Sequence, residues 1–270
     1  MINFNTTAFF HILFSRTFER NNVKINWQSA PKDLPQPLLK EMDDYWRKAT
    51  KQAPHLFDGK LCRLNDWKIE KNVLALDLGL TGYKELLYCN EHVQYVEAQF
   101  GAEWMSRALG ISAILVSADG QLVLIERSRQ VGEFPGCFDV LGGHIHPDDH
   151  AVSGKPDPFL AMEDELQEEI HLNLDMNEPM QCIGLIETTQ TQKPELIFKV
   201  ESGLSLEEIL RSGSKNKSRE IESFLSIAHD RNALIAFLNA NVTQCSPSAL
   251  GVMALYAQTI EDKPLTSQRH

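Results

Sequence analysis

The chain has 270 residues, of which 43% are hydrophobic and 23% charged, with 15 Gly, 12 Pro and 5 Cys. This composition excludes collagen-like, disordered and disulfide-scaffold proteins, and the length allows one large globular domain or two modest ones. The formal net charge of −11 argues against a nucleic-acid partner, since no local basic patch offsets repulsion by a phosphate backbone. An anionic small substrate would need a local source of positive charge, such as a metal ion.

Cysteine usage and hydropathy predict where the protein acts. The five cysteines are odd in number and lack CxxC spacing, so we expect neither a disulfide framework nor a zinc site, and a reducing cytoplasm fits best. The apolar start Ala8–Phe14 lacks a basic flank and a cleavage site, which predicts a strand rather than a signal peptide. No run approaches the roughly 18 apolar residues of a membrane helix, so no membrane partner is expected.

The first part of the chain predicts a small α+β module. Its expected elements are a hairpin of Ala8–Phe14 with Val23–Trp27, a helix over Pro37–Thr50, a hairpin of Leu61–Ile69 with Val73–Leu78, and a helical stretch Tyr83–Phe100. We place this module at residues 1–107, and it holds no metal-ligand cluster of its own.

A second domain is predicted over residues 108–262, followed by a tail, 263–270. It opens with a hairpin whose turn contains Asp119-Gly120. The later expected elements are a short segment Cys137–Leu141, a helix from Pro158 to about His171 capped by Asp157, strands Gln181–Glu187 and Leu196–Glu201, a surface loop Gly213–Arg219, and helices Ser205–Leu210, Asn232–Leu238 and Ala249–Thr259.

The most informative segment is the acidic helix. Glu165, Glu168 and Glu169 stand at i, i+3 and i+4, so they share one helix face. No Lys or Arg occurs between Pro156 and Gln192 to relieve their repulsion. The face is either simply solvated or the seat of a hard divalent cation such as Mg²⁺, which takes carboxylate and phosphate oxygens as ligands. The pair Gly142-Gly143, ahead of this helix, would let backbone approach a ligand closely.

This segment resembles the Nudix box, G-x5-E-x7-R-E-U-x-E-E-x-G-U, in which U is a bulky aliphatic residue. Five of the seven specified positions in its second half agree, namely Glu165, Leu166, Glu168, Glu169 and Leu172. Gly143 would be the opening glycine, seven residues further upstream than the box allows. The box Arg is Asp164, the box Gly is His171 and the early box Glu falls on Pro156, so a general motif scan could miss the box.

The same departures resemble one branch of the family, the UDP-glucose/UDP-galactose pyrophosphatases, whose box also has an insertion and lacks the Arg and the Gly. Similar segments follow in order through residues 54–256. They are Leu56-Phe57-Asp58, Leu78-Gly79-Leu80-Thr81-Gly82-Tyr83, Arg127-Ser128-Arg129-Gln130-Val131, Pro135-Gly136, Asp139-Val140, Gly142-Gly143-His144 and Pro247-Ser248-Ala249. The resemblance implies an α/β fold, a Nudix α/β/α sandwich with a mixed sheet, preceded by the N-terminal module.

The resemblance also implies roles for particular residues. Glu165, Glu168 and Glu169 would be the catalytic carboxylates and the ligands of Mg²⁺, with Mn²⁺ as an alternative, and Glu169 is the first candidate to accept a proton from water. The implied substrate-binding residues are Phe57, Tyr83, Arg127, Gly132, Asp139, His144, His146 and Ser248. Other interpretations stay open: core aromatics for Phe57 and Tyr83, a solvated strand end for Arg127, and a helix N-cap for Ser248.

The predicted function is Mg²⁺-dependent hydrolysis of a UDP-hexose to UMP and hexose 1-phosphate, with a small nucleotide sugar as the partner. One alternative is another nucleoside diphosphate derivative, such as ADP-ribose. A second alternative is a non-catalytic nucleotide-sugar binding protein, suggested by Asp164 in place of the box Arg.

Overall fold

A computed structural model describes residues 1–54, 56–172, 179–214 and 220–260. The strands are β1 (Phe10–Phe18), β2 (Val23–Pro31), β3 (Lys60–Glu70), β4 (Val73–Gly82), β5 (Gly110–Val116), β6 (Gln121–Arg127), β7 (Phe138–Asp139), β8 (Leu141–His144), β9 (Ala151–Val152), β10 (Lys155–Pro156), β11 (Met180–Thr188), β12 (Pro194–Glu201) and β13 (Ile221–Ala228). The helices are α1 (Gln36–Gln52), α2 (Tyr83–Glu91), α3 (Val93–Gln99), α4 (Pro158–Ile170), α5 (Leu206–Gly213), α6 (Arg231–Ala240) and α7 (Pro247–Thr259).

A mixed sheet forms the centre of the molecule. Its strand order is β1-β11-β12-β5-β6-β13, with β7 paired to β6 and β8 paired to β5. β12 and β5 run parallel, whereas the other neighbours are antiparallel. Successive residues of β5 alternate between two cores, as a strand buried on both faces requires. Ile111 and Ala113 pack in the cluster that contains residues of α4, and Ile114 packs in the cluster that contains residues of α7.

Helices therefore cover both faces of the sheet, which confirms the predicted α/β sandwich with a mixed sheet. A second, three-stranded sheet has the order β2-β4-β3. Its inward residues, among them Leu64, Leu76 and Leu78, belong to the same apolar cluster as α4. α1, α2 and α3 contribute to a smaller cluster of their own around Leu38 and Met42. The two sheets thus share a core, and this sharing fixes β3 and β4 relative to α4.

The first predicted hairpin is wrong. β1 pairs with β11 in the large sheet, and β2 pairs in parallel with β4 in the small one. Alternating hydrophobicity predicts that a segment is a strand, but it carries no information about a partner more than a hundred residues away. The division at residue 107 stays a prediction. β1 lies in the N-terminal part of the chain, yet it is an edge strand of the large sheet, whose other strands all come from residues after 107.

Other predicted elements agree with the structure at the level of type. The hairpins β3–β4 and β5–β6 form as expected, and the helical stretch 83–100 is two helices interrupted at His92. Residues 215–219 of the predicted loop and the tail 263–270 lie outside the described residues. Within the described ranges, every helix is too short or too polar to span a lipid bilayer.

Candidate active site

The acidic helix α4 is fixed at its N-terminal end. The Asp157 carboxylate accepts hydrogen bonds from the backbone N–H groups of Phe159 and Leu160 at 2.8 and 3.2 Å, as the sequence predicts for an N-cap. Arg20, from the connection between β1 and β2, pairs with Asp157 at 3.2 Å and with Glu163 at 2.9 Å. The N-terminal part of the chain therefore helps to hold the helix that carries the three glutamates.

The glycine pair lies in β8, directly against α4. A Cβ atom on Gly143 would overlap the Glu165 carboxylate, and one on Gly142 would overlap the carbonyl oxygen of Ile111. The backbone N–H of Gly142 donates a hydrogen bond to Glu169 Oε2 at 3.2 Å. Both positions need glycine because the strand passes too close to its neighbours to carry a side chain.

Two of the three glutamates resist ionisation. Burial raises the pKa of Glu165 to about 7, and the charge of Glu168 adds to this effect. Burial also raises the pKa of Glu169 well above its usual range, with further contributions from Glu165 and Glu220. Glu169 is only 6% exposed. A cation beside these groups would favour their charged forms, so this region is electrostatically suited to bind one.

These carboxylates line a cavity of about 440 Å³. We call it the acidic cavity, and its lining consists of Gly142, Gly143, His144, Glu165, Glu168, Glu169 and Glu220. In the described ranges, no group of three or more His, Cys, Asp or Glu side chains is arranged so that it could hold a metal ion. The donor chemistry nevertheless fits a hard cation, since every acidic group here offers carboxylate oxygens.

A larger cavity of about 560 Å³ adjoins the acidic cavity and shares four lining residues with it, Gly142, Gly143, His144 and Glu220. We call it the substrate cavity. All eight residues predicted to bind substrate line it, namely Phe57, Tyr83, Arg127, Gly132, Asp139, His144, His146 and Ser248. Residues from the N-terminal stretch, from the loop after β6, from β8 and from α7 are thus brought together. Their individual roles stay predictions.

Arg127 is not a solvated strand end. Its side chain is 19% exposed, its Nε donates to the backbone oxygen of Glu133 at 3.0 Å, and its Nη1 lies 3.5 Å from Asp139 Oδ2. Burial raises the pKa of Asp139 to about 6, even though Arg127 acts in the opposite direction. The guanidinium is therefore held at the cavity wall by the loop after β6.

The two aromatic residues differ in their surroundings. Phe57 is 77% exposed, so it is not a core residue. Tyr83, at the start of α2, is partly buried and makes an edge contact with Trp46 at 6.4 Å between ring centroids. Both rings border the substrate cavity, where a flat ligand ring could stack on them.

The two histidines also differ. The Nε2 atom of His144 is buried and has no hydrogen-bond partner among the described residues. Burial, followed by the charge of Lys193, lowers the pKa of His144 to about 4, so its ring is neutral at pH 7. His146 lies in the loop after β8, with its Nδ1 at 3.0 Å from the carboxylate of Asp149.

Ser248 is not the N-cap of α7. Ser246 caps that helix by accepting a hydrogen bond from the backbone N–H of Ala249 at 3.0 Å. The Ser248 hydroxyl instead donates to Glu195, and the Ser112 hydroxyl donates to the other oxygen of the same carboxylate. Since a proline favours the first helical position, Pro247 was the signal that pointed to Ser246 as the cap.

Sequence reasoning missed several polar residues of the two cavities. Glu133, Lys193, Glu195 and Glu220 each stand outside the recognised motifs, in a loop, at the start of β12 or just ahead of β13. No spacing in the sequence groups them, because only the folded sheet brings them together.

No family model matches the chain, as expected for a box with an insertion and three departures. The uridine diphosphate glucose pyrophosphatase NUDT22 of Mus musculus is 28% identical, over 78% of this chain and 77% of that protein. The Homo sapiens protein of the same name is 27% identical over 78% of each chain, and Nudix hydrolase 9 of Arabidopsis thaliana is 23% identical over 47% of each.

Solved structures are more distant. A MutT protein from Methanosarcina mazei has a TM-score of 0.38 at 14% identity and covers 57% of this chain and 95% of its own. DR0079 from Deinococcus radiodurans has a TM-score of 0.40 at 18% identity and covers 56% of this chain and 84% of its own.

The sequence comparisons confirm the resemblance to the Nudix hydrolases. Within that family, the similarity that spans most of the chain is to uridine diphosphate glucose pyrophosphatases.

Proposed function

We propose that this protein hydrolyses the diphosphate bond of UDP-glucose or UDP-galactose and releases UMP and hexose 1-phosphate. The observation that carries the proposal is the junction of the two cavities, since all eight predicted substrate residues line one and all three predicted catalytic glutamates line the other. A diphosphate that crosses this junction would have its base and sugar in the larger cavity. The names of the relatives support the choice of substrate.

Glu165, Glu168 and Glu169 would hold Mg²⁺, with Mn²⁺ as an alternative. The raised pKa values of Glu165 and Glu169 support this assignment, because a divalent cation would relieve the repulsion among buried carboxylates. Such a cation neutralises charge on the phosphates and makes a bound water more acidic.

Glu169 would orient the attacking water and accept its proton on a carboxylate oxygen. Its hydrogen bond to the Gly142 N–H fixes the side chain at the junction of the cavities, and a bound cation would keep the carboxylate ionised and so able to accept a proton. Glu168, on the same face, completes the acidic cavity.

The substrate cavity would hold the nucleotide sugar in place. Arg127 would contact the diphosphate, because a guanidinium fork can bond two phosphate oxygens at once. Phe57 and Tyr83 would stack on the uracil ring. The remaining predicted contacts, with the nucleotide sugar, are Gly132, Asp139, His144, His146 and Ser248. We place the activity in a reducing cytoplasm, a proposal supported by five free cysteines.

Product analysis tests this proposal. The chain is incubated with UDP-glucose, UDP-galactose or ADP-ribose in Mg²⁺, and the products are separated by anion-exchange chromatography. We expect UMP and hexose 1-phosphate in equal amounts from a uridine substrate, at a higher rate than any cleavage of ADP-ribose. Faster cleavage of ADP-ribose would overturn the substrate assignment, and saturable binding of UDP-glucose without turnover would indicate a binding protein instead.

A further inference from the structure

A partly buried lysine that the proposed mechanism does not use lies in the wall of the substrate cavity. Lys193 precedes β12, its side chain is 13% exposed, and it lines the cavity. Its backbone is fixed by Thr188, whose N–H donates to the Lys193 carbonyl oxygen at 3.0 Å. Its stem passes Gly110, where a Cβ atom would be 3.6 Å from the Lys193 Cε. The ammonium is therefore held at a defined place.

The ammonium of Lys193 has unused hydrogen-bonding capacity. It carries three N–H donors, and its ion-pair partner in the described part of the chain is Glu133 Oε2 at 3.5 Å. That separation is longer than an ordinary hydrogen bond. A ligand oxygen in the cavity could therefore accept a charge-assisted hydrogen bond from this group.

Glu133 pairs with the Lys193 ammonium but does not use all three of its N–H donors. The other oxygen of Glu133, Oε1, accepts a hydrogen bond from Asn90 in α2 at 2.8 Å, and its backbone oxygen accepts one from Arg127. Burial lowers the pKa of Lys193, but the charges of Glu133, Glu195 and Asp139 raise it by more, so the side chain is a cation at neutral pH.

A second polar atom of the same cavity, His144 Nε2, has no hydrogen-bond partner among the described residues. This atom is buried, and the charge of Lys193 acts on its ring. Two groups in one wall thus offer hydrogen bonds that the described residues do not fill, which is typical of a site built for a polar ligand.

We propose that Lys193 is a further nucleotide-binding residue, whose ammonium donates to an acceptor oxygen of the nucleoside diphosphate. That oxygen belongs either to the diphosphate or to a carbonyl group of the base. The inference rests on the proposed function, from which it takes the class of ligand.

Calorimetric titration of the full chain with UDP and with CDP tests this inference. CDP has the same diphosphate but an amino group in place of one base carbonyl, and an ammonium cannot donate to an amino group. For Lys193→Met we expect UDP to bind at least about tenfold more weakly. An equal loss with CDP assigns the oxygen to a group that UDP and CDP share, the diphosphate or the remaining base carbonyl, and a loss restricted to UDP assigns it to the carbonyl that CDP lacks.

Two further variants keep the test decisive. The double variant Lys193→Met/Glu133→Gln also removes the carboxylate that Lys193→Met alone would leave unpaired. The double variant is titrated instead if Lys193→Met does not fold. Lys199→Met is the matched control, since Lys199 lies on β12, the strand that Lys193 precedes, pairs with Glu201 at 2.8 Å and does not line the cavity. It should bind UDP within twofold of the unchanged chain.

The two possible failures are distinct. If the unchanged chain binds UDP and the Lys193 variants bind it equally well, the inference is overturned alone. If the unchanged chain neither binds UDP nor releases UMP from UDP-glucose, the proposed function is overturned and the inference falls with it.

Discussion

Asp139 is a buried carboxyl group whose ionisation opposes folding. Burial raises its pKa from 3.8 to about 6 in the fold, so between these values the unfolded chain binds fewer protons than the folded one. Its contribution to the free energy of unfolding therefore declines as the pH rises from 4 to 6 and is lowest above pH 6. Asp139→Asn, which is neutral at every pH, lacks this decline.

We expect the stability of Asp139→Asn relative to the unchanged chain to increase by up to about 3 kcal/mol from pH 4 to pH 7, as measured by urea unfolding. Asp119→Asn is the matched control with the opposite sign. The Ser117 hydroxyl lowers the pKa of Asp119 from 3.8, so that variant should lose relative stability as the pH rises through the range below about 4 and change little from pH 4 to pH 7. A constant difference for Asp139→Asn would contradict the assigned pKa.

At the scale of single residues, the functional position of a residue in a sequence motif could be predicted, whereas that of a residue outside any motif could not. Glu165 and Arg127 belong to local patterns, and the structure brings each to a cavity wall. Glu195 and Lys193 stand in no pattern, because their position depends on the pairing of β12 with β5. Ser248, predicted as a substrate contact, lines the substrate cavity, and the N-cap role left open for it as an alternative belongs to Ser246.

The close approach of β8 to α4 decides the shape of the acidic cavity. Gly143→Ala would drive its new methyl group into the Glu165 carboxylate. A displacement of about 1 Å at a catalytic group can cost about a hundredfold in rate, so we expect kcat for UDP-glucose to fall by about that factor. Steady-state kinetics measures the loss.

Gly154→Ala is the control for this substitution. Gly154 lies in the β9–β10 turn with φ +76°, and a Cβ atom there would meet no atom within 4 Å. The change should cost about 1 kcal/mol of stability and leave kcat within twofold. An unchanged kcat in Gly143→Ala would contradict the described contact.

Elements with strong local signals could be predicted, and those defined by distant partners could not. α4 has its expected cap at Asp157 and ends in the left-handed conformation of His171. β13 was missed, and β1 was paired wrongly, since each depends on a strand far away in the chain. Short β9 and β10 left no pattern long enough to recognise.

On the scale of the whole molecule, both the small sheet and the large sheet contribute to the lining of the substrate cavity. Phe57, just ahead of β3, reaches the substrate cavity although its ring is 77% exposed. Phe57→Ala should raise KM for UDP-glucose about tenfold through loss of stacking, with little change in kcat. Because the ring is exposed, the free energy of unfolding should change by less than about 0.5 kcal/mol.

Tyr95→Ala is the matched aromatic control, since Tyr95 is 44% exposed on α3 and does not line the substrate cavity. Its KM should stay within twofold of the unchanged chain. An unaltered KM in Phe57→Ala would indicate that the N-terminal part supports the fold without contacting the nucleotide.

The central claim is that the glutamates of α4 catalyse metal-dependent cleavage beside the substrate cavity. Its most direct test is the rate of UMP release from UDP-glucose by Glu169→Gln, with and without Mg²⁺, against Glu163→Gln as the control. Glu163 lies on the same helix but pairs with Arg20 and lines neither cavity. We predict Mg²⁺-dependent release by the unchanged chain and by Glu163→Gln, and a loss of about a hundredfold or more in Glu169→Gln with the fold intact. Full activity in Glu169→Gln, or equal rates with and without a divalent cation, would contradict it.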